Sequence, residues 1–166
     1  MKKITLLFMV LMLLTACNKE KKILENEYYT IIHDIIPIYK EYLEVSSKSV
    51  KDMYTNIVND NTVNVDDTIK ELNNIEQEYI NKIESKGKDF KHELSKQYVQ
   101  IKIKYIQTVS KNSIQALDIF KTKTEEDMQK NINDIAKMLG ESMKEIENII
   151  KEDERIMSEI SKTVNK

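Results

Sequence analysis

The sequence predicts an all-α protein, an elongated antiparallel bundle of three long helices, and three observations carry that reading. The 166 residues hold two glycines, one proline and no tryptophan, so the punctuation that a turn-rich sheet protein needs is missing. Charged residues make up 33% of the chain and are spread along it, as on the solvated faces of helices. Apolar residues recur at steps of three and four over long stretches, which gathers them on one helical face.

The chain opens with a basic head, Lys2 and Lys3, then an almost unbroken apolar run from Ile4 to Leu14, then small residues before Cys17, its only cysteine. This is the layout of a secretory signal peptide, and the run is too short to span a bilayer as a stable helix. Leu14, Thr15, Ala16 and Cys17 stand in the order of a lipobox, and in this the sequence resembles the bacterial lipoprotein family. The resemblance covers the first seventeen residues. It implies cleavage before Cys17 and a diacylglyceryl thioether on its sulfur. Acyl chains contribute about 0.8 kcal/mol per buried methylene, so two or three of them hold a protein on a membrane. Cys17 then serves as an anchor and is lost as a metal ligand or nucleophile. The chain divides into a signal peptide at 1–16, a lipidated cysteine with a short polar tether at 17–22, and one helical domain at 23–163. With no second cysteine that domain has no disulfide, so packing must stabilise it.

Removing the signal peptide leaves enough chain for one domain with a real core. Without Lys2 and Lys3, 24 basic residues face 28 acidic ones, a formal charge of −4. That mixed, mildly acidic surface lacks the basic face that nucleic acid would require.

The first helix carries Leu24, Tyr28, Ile31, Ile35, Ile38 and Tyr42 in one row and Ile32, Ile36, Tyr39, Leu43, Val50, Met53 and Ile57 beside it. Pro37 lies inside this pattern, which continues in phase on both sides, so a bend is expected there and not an end. The stretch from Asn59 to Asp66 favours local hydrogen bonding and reads as a loop, with Asn64 or Asp66 placed to cap the next helix.

The second helix opens with Ile69, Leu72, Ile75, Tyr79 and Ile83. Gly87 either ends it, with Asp89 capping a new helix in a four-helix alternative, or lies within it. Ile83 and Phe90 are seven apart and keep one phase, which favours a continuous helix of about 56 residues, roughly 84 Å long. Antiparallel pairing about the Asn59–Asp66 loop would place Leu43 near Ile83, Ile36 near Phe90, and Tyr39 opposite Gly87.

From Tyr98 two apolar faces emerge, Leu94, Tyr98, Ile101 and Tyr105 on one and Val99, Ile103, Ile106, Ile114 and Leu117 on the other. A second face calls for a third helix. Lys121 to Thr124 marks the break, with Thr124 and the acids after it suiting an N-terminus. The last stripe runs Ile132, Ile135, Ala136, Leu139, Met143, Ile146, Ile150, Met157 and Ile160. Pairing about that break would set Ile114 against Ile132, Ile106 against Leu139 or Gly140, and Ile103 against Met143.

Residues able to carry chemistry are few. Asp89 and His92 stand at i, i+3, half of the carboxylate and histidine arrangement of di-iron bundles, but the other histidine, His33, is preceded at that spacing by Thr30. His33 and Asp34 are adjacent and point about 100° apart on a helix, which disfavours a hydrolytic dyad. No glycine-rich phosphate loop or nucleophile elbow occurs. No catalytic residue, metal ligand or cofactor site is assigned. The eight tyrosines read as core and flank, with rings buried and hydroxyls toward water. The lysines at 19, 21 and 22, beside the anchor, would add about 1 kcal/mol each on an anionic leaflet.

The expected protein is a membrane-anchored envelope lipoprotein, on the cell membrane or an outer membrane and facing away from the cytoplasm. It would act without catalysis, as a helical interaction or structural module for an unknown envelope or extracellular protein. One alternative is an immunity, exclusion or inhibitor lipoprotein with a single specific partner. A second is a small-ligand carrier or enzyme.

Overall fold

The computed structural model describes residues 19–58, 64–118 and 125–165. Four helices alternate in direction: α1 over 19–58, α2 over Val65–Gly87, α3 over Glu93–Leu117 and α4 over Glu125–Val164. The protein is all-α, with no strand among the described residues. The long middle helix is not formed. Residues 88–92 separate α2 from α3, so the four-helix arrangement with a break at Gly87 replaces the three long helices. The signal peptide with its lipobox, Asn18, loop residues 59–63 and the 121–124 break lie outside the described residues, as do the side chains of Ile57, Ile132, Ile135 and Leu139.

Residues 19–22, expected as tether, are helical and continuous with the rest of α1. It runs unbroken past Pro37, and the local adjustment is a π-turn over Ile31–Ile35 in which the Ile36 N–H donates to the Ile31 carbonyl. Proline lacks an N–H and its ring crowds the carbonyl four residues back, here that of His33. The wider π-turn just before it gives the ring room without ending the helix.

Helix α2 starts on Asn64, whose side chain accepts from the Asp66 N–H at 3.1 Å. Asp66 and Asp67 then place negative charge at the positive end of the helix. Its far end stops at Gly87 for a reason of packing. The glycine does not take the left-handed backbone of a C′ residue, and a Cβ there would overlap a γ-methyl of Val99 on α3. The missing side chain therefore lets α2 and α3 approach beside their connecting turn. The expected contact of Gly87 with Tyr39 is absent, since the Tyr39 ring packs edge-on against Tyr105, 5.3 Å away between centroids.

Asp89 caps nothing, and it does not share a helix with His92, because both belong to the 88–92 turn. His92 is the N-cap of α3, with Nδ1 accepting from the Leu94 N–H at 3.2 Å. The Phe90 N–H donates to the Gly87 carbonyl at 3.1 Å. From across the bundle the buried Glu27 carboxylate accepts from the N–H groups of Lys91, at 2.5 Å, and His92, at 3.1 Å. A negative group thus satisfies two free donors at the start of α3, where the helix dipole also favours it.

The registers differ from the symmetric pairings expected of the loops. Tyr42 packs on Tyr79, with centroids 5.8 Å apart, and Asp34 pairs with Lys86 at 3.4 Å, so α2 meets α1 about five residues earlier than expected. Lys102 bonds Asp153 at 2.9 Å and Ser142 bonds Asn112 at 2.8 Å, which slides α4 along α3 by about two turns. Pairings centred on a loop assume that both helices reach it equally, and α4 does not, because its first turns lie beyond the level at which α3 pairs with it.

The main core gathers Leu24, Ile31, Ile35 and Tyr42 of α1, Ile75, Tyr79, Ile80 and Ile83 of α2, Phe90 of the turn, Tyr98, Val99, Ile103 and Ile106 of α3, and Ile156 and Ile160 of α4. Met53, Leu72 and Leu117 form a smaller cluster toward the other end. Ile83 and Phe90 are both buried in the main core. Their shared phase was real, but it comes from two elements folding around one centre. Helix α4 turns a partly different line inward from the one expected: Ile160 is buried as expected, but Ile149 and Ile156 are buried too, whereas Met143 is 63% and Ile150 40% exposed.

Candidate functional site

Besides Glu27, a buried lysine brings charge into the bundle at a second place. Lys102 lies on α3 between Tyr98 and Tyr105, where the apolar stripe would put a hydrophobic residue, and only 7% of it is exposed. Its ammonium donates to Asp153 of α4 and lies 4.3 Å from the Tyr39 ring centroid and 5.0 Å from that of Tyr98. Two ring faces and a carboxylate therefore replace the water that a lysine loses on burial. Beside the pair is a cleft of about 30 Å³ lined by Tyr39, Ile101, Lys102, Tyr105, Ile149, Ile150 and Asp153. That space is enough for a buried water. Asp153 Oδ1 is buried there without a partner among the described residues, a polar atom for such a water to satisfy.

The tyrosines around this pair are held neutral. Burial is the first cause that pushes the Tyr39 hydroxyl well above the usual phenol range, with Tyr105 and the negative Asp153 adding to it. Tyr98 is raised by burial and then by Asp153. Tyr42 is also raised, first by burial, and donates to the Ile106 carbonyl at 3.1 Å, tying α1 to α3. A phenol that resists ionisation is a poor general acid or base near neutral pH. The cluster positions α4 on the bundle.

A larger space lies toward the end of the bundle away from Leu24. It is an open groove of about 600 Å³ between α1 and α3, lined by Ser46, Ser47, Val50, Lys51, Tyr54, Thr55, Val109 and Ser113. Val50 and Val109 belong to the edges of the two core clusters, so the groove floor is the uncovered margin of the core. The exposed Met143 stands on α4 beside Ser142, which bonds Asn112, the neighbour of the groove residue Ser113. A groove of this size with a partly apolar wall and several hydroxyls has the character of a binding surface.

Of the residues singled out in the sequence, Leu14, Thr15, Ala16 and Cys17 lie outside the described residues. His33 is exposed and its ring packs on Tyr29, with centroids 4.2 Å apart. His92 is occupied as a helix cap. No cluster of three or more metal-ligating side chains occurs among the described residues, and none of their helices is long and apolar enough to cross a membrane. Sequence reasoning missed Lys102 and Asp153. The available signal was positional, since each interrupts an apolar line, Tyr98 to Ile106 in one case and Ile149 to Ile156 in the other. Comparison with known proteins gives no matching family model, no similar curated protein and no similar solved structure.

Proposed function

We propose that the chain is a bacterial envelope lipoprotein, held on a membrane by lipid on Cys17, whose helical bundle acts as a protein-interaction or structural module without catalysis. The observation that carries the reading is the closeness of the lipobox to the bundle. Leu24, with none of its surface exposed, follows Cys17 by only seven residues. An anchor on Cys17 would hold the Leu24 end against the membrane. Helix α1 would then carry Val50, and with it the groove, about 39 Å further out at 1.5 Å per residue. This open, partly apolar groove would thus face outward, where an envelope or extracellular protein can reach it.

Site-specific photocrosslinking in intact cells tests this. A photoreactive residue at Ser47 or Met143, in the outer half, should trap one protein of defined mass, and the same residue at Tyr29, near the anchored end, should not. Equal, diffuse labelling from all three positions would contradict an interaction surface at the groove.

A further inference from the structure

We propose that the end of the bundle nearest Cys17 is a contact surface for anionic lipid headgroups, formed by lysines that lie far apart in the sequence and are brought together by the fold. The first of them are Lys19, Lys21 and Lys22 at the start of α1. The Glu27 carboxylate accepts from the N–H groups of Lys91 and His92, so the 88–92 turn lies level with residue 27 of α1. Tyr42 and Ile106 bond at the same separation of 64 residues as Glu27 and Lys91, so α1 and α3 run parallel in one register. Residues 19–22 therefore project past the turn by about 7–12 Å at 1.5 Å per residue. Helix α4 reaches the same level from the other direction. Lys162 follows Asp153 by nine residues and Glu93 precedes Lys102 by nine, so the bond between Lys102 and Asp153 sets Lys162 level with the start of α3.

Charge at this end is unlike the charge of the chain. Segments 19–22 and 86–91 hold six lysines against Glu20 and Asp89, a formal charge of +4, whereas the chain from Cys17 onward carries −4. Most neighbouring acids are occupied within the protein. Lys21 pairs with Glu25 at 3.8 Å, Lys86 with Asp34 at 3.4 Å and Arg155 with Glu159 at 2.6 Å, while Glu27 is held by the backbone donors of the turn. Glu93 stays exposed. Lys88, Lys91 and Lys162 are exposed as well and make no ion pair among the described residues. Such lysines are available to phosphate groups, and their flexible stems let the ammonium groups reach them.

The surface fits headgroups and not the lipid interior. Phe90, the large apolar side chain of the turn, is only 9% exposed and belongs to the main core, so the turn presents its lysines without an apolar wedge. Attraction to an anionic leaflet falls off within a Debye length, so it acts on the groups held against the surface. The proposal rests on the lipoprotein reading for bringing this end to a membrane, and it adds an orientation. Acyl chains alone leave a bundle free to tilt, whereas cations on α1, the turn and α4 would hold it upright with the groove outward.

Acetylation of lysines by acetic anhydride, read residue by residue by mass spectrometry, tests this on the protein purified from its own cells. The protein is placed on vesicles of phosphatidylcholine alone and of phosphatidylcholine mixed with phosphatidylglycerol. Lys88, Lys91 and Lys162 should react roughly fivefold more slowly on the anionic vesicles, and the difference should vanish in about 1 M salt, where the Debye length is about 3 Å. Lys40, Lys48 and Lys144, exposed higher on the bundle, should react alike on both. Equal rates at Lys88, Lys91 and Lys162 on the two vesicles, with protein bound to both, would overturn the headgroup contact and leave the anchor standing. Equal slowing at all six lysines would also overturn it, because a bundle lying flat has no basic end face on the lipid. Protein that sediments with neither vesicle would overturn both the contact and the anchor.

Discussion

Gly87 shows how one residue can be required for a reason other than backbone freedom. Its backbone is not left-handed, and the space a methyl would occupy is already filled by Val99. Gly87→Ala should therefore destabilise the bundle by about 1–3 kcal/mol, as overpacking does, in spite of alanine's better helix propensity. The cost should shrink markedly in a Val99→Ala background. Urea unfolding of the two single variants and the double variant measures this coupling, and additive losses would show that the Val99 contact is not the cause.

The buried tyrosines make a second prediction at this scale. Tyr39, Tyr42 and Tyr98 have hydroxyls raised above the phenol range, chiefly by burial. A raised folded-state value means that the neutral form is favoured by folding. Their contribution is thus fully present below the unfolded value of about 10 and is lost as pH rises above it. Stability should be flat across neutral pH on their account and fall in alkali. Tyrosinate absorbance should show these three ionising only as helicity is lost; their ionisation with the bundle intact would contradict the burial argument.

At the scale of the element, the helices were legible wherever a single apolar line faced a single partner. Leu24, Ile31, Ile35, Tyr42, Met53, Leu72, Ile75, Tyr79 and Ile83 were all placed inward by spacing alone, and all are buried. Helix α4 was harder because it carries two apolar lines about 100° apart, one through Ile150 and one through Ile149 and Ile156. Register decides which turns inward, and the Lys102 and Asp153 pair helps set that register while reading in the sequence as two more surface charges. The α2–α3 break at Gly87 was legible only as the alternative, because its determinants come from elsewhere in the chain: Glu27 reaching the turn, Val99 filling the space at Gly87, and a histidine serving as cap. The lipobox is a local pattern, and residues 14–17 lie outside those the structure describes.

Gly140 tests the same reasoning from the opposite side. It lies inside α4 with open space around it, so Gly140→Ala should stabilise the protein by up to about 1 kcal/mol. A thermal melt followed by circular dichroism should show a higher Tm for this variant and a lower one for Gly87→Ala. A loss at Gly140 would mean that something already occupies the space beside it.

For the whole molecule, the polarity of the bundle gives the proposed anchor its meaning. One end holds Leu24, the 88–92 turn and the C-terminal turns of α4, and the other holds the open groove. Lipid on Cys17 would set the first end on the membrane and project the second away from it, so address and interaction surface form one arrangement. On the proposed reading, function would depend on acylation at Cys17 and on only a few residues separating it from the core. The most direct measurement is the intact mass of the protein extracted from its membrane, with Cys17→Ala alongside. A chain beginning at Cys17 and carrying a diacylglyceryl group, together with an unlipidated Cys17→Ala precursor that keeps residues 1–16, is the predicted result. A mature chain that begins elsewhere, or that carries a free Cys17 thiol, would contradict the account.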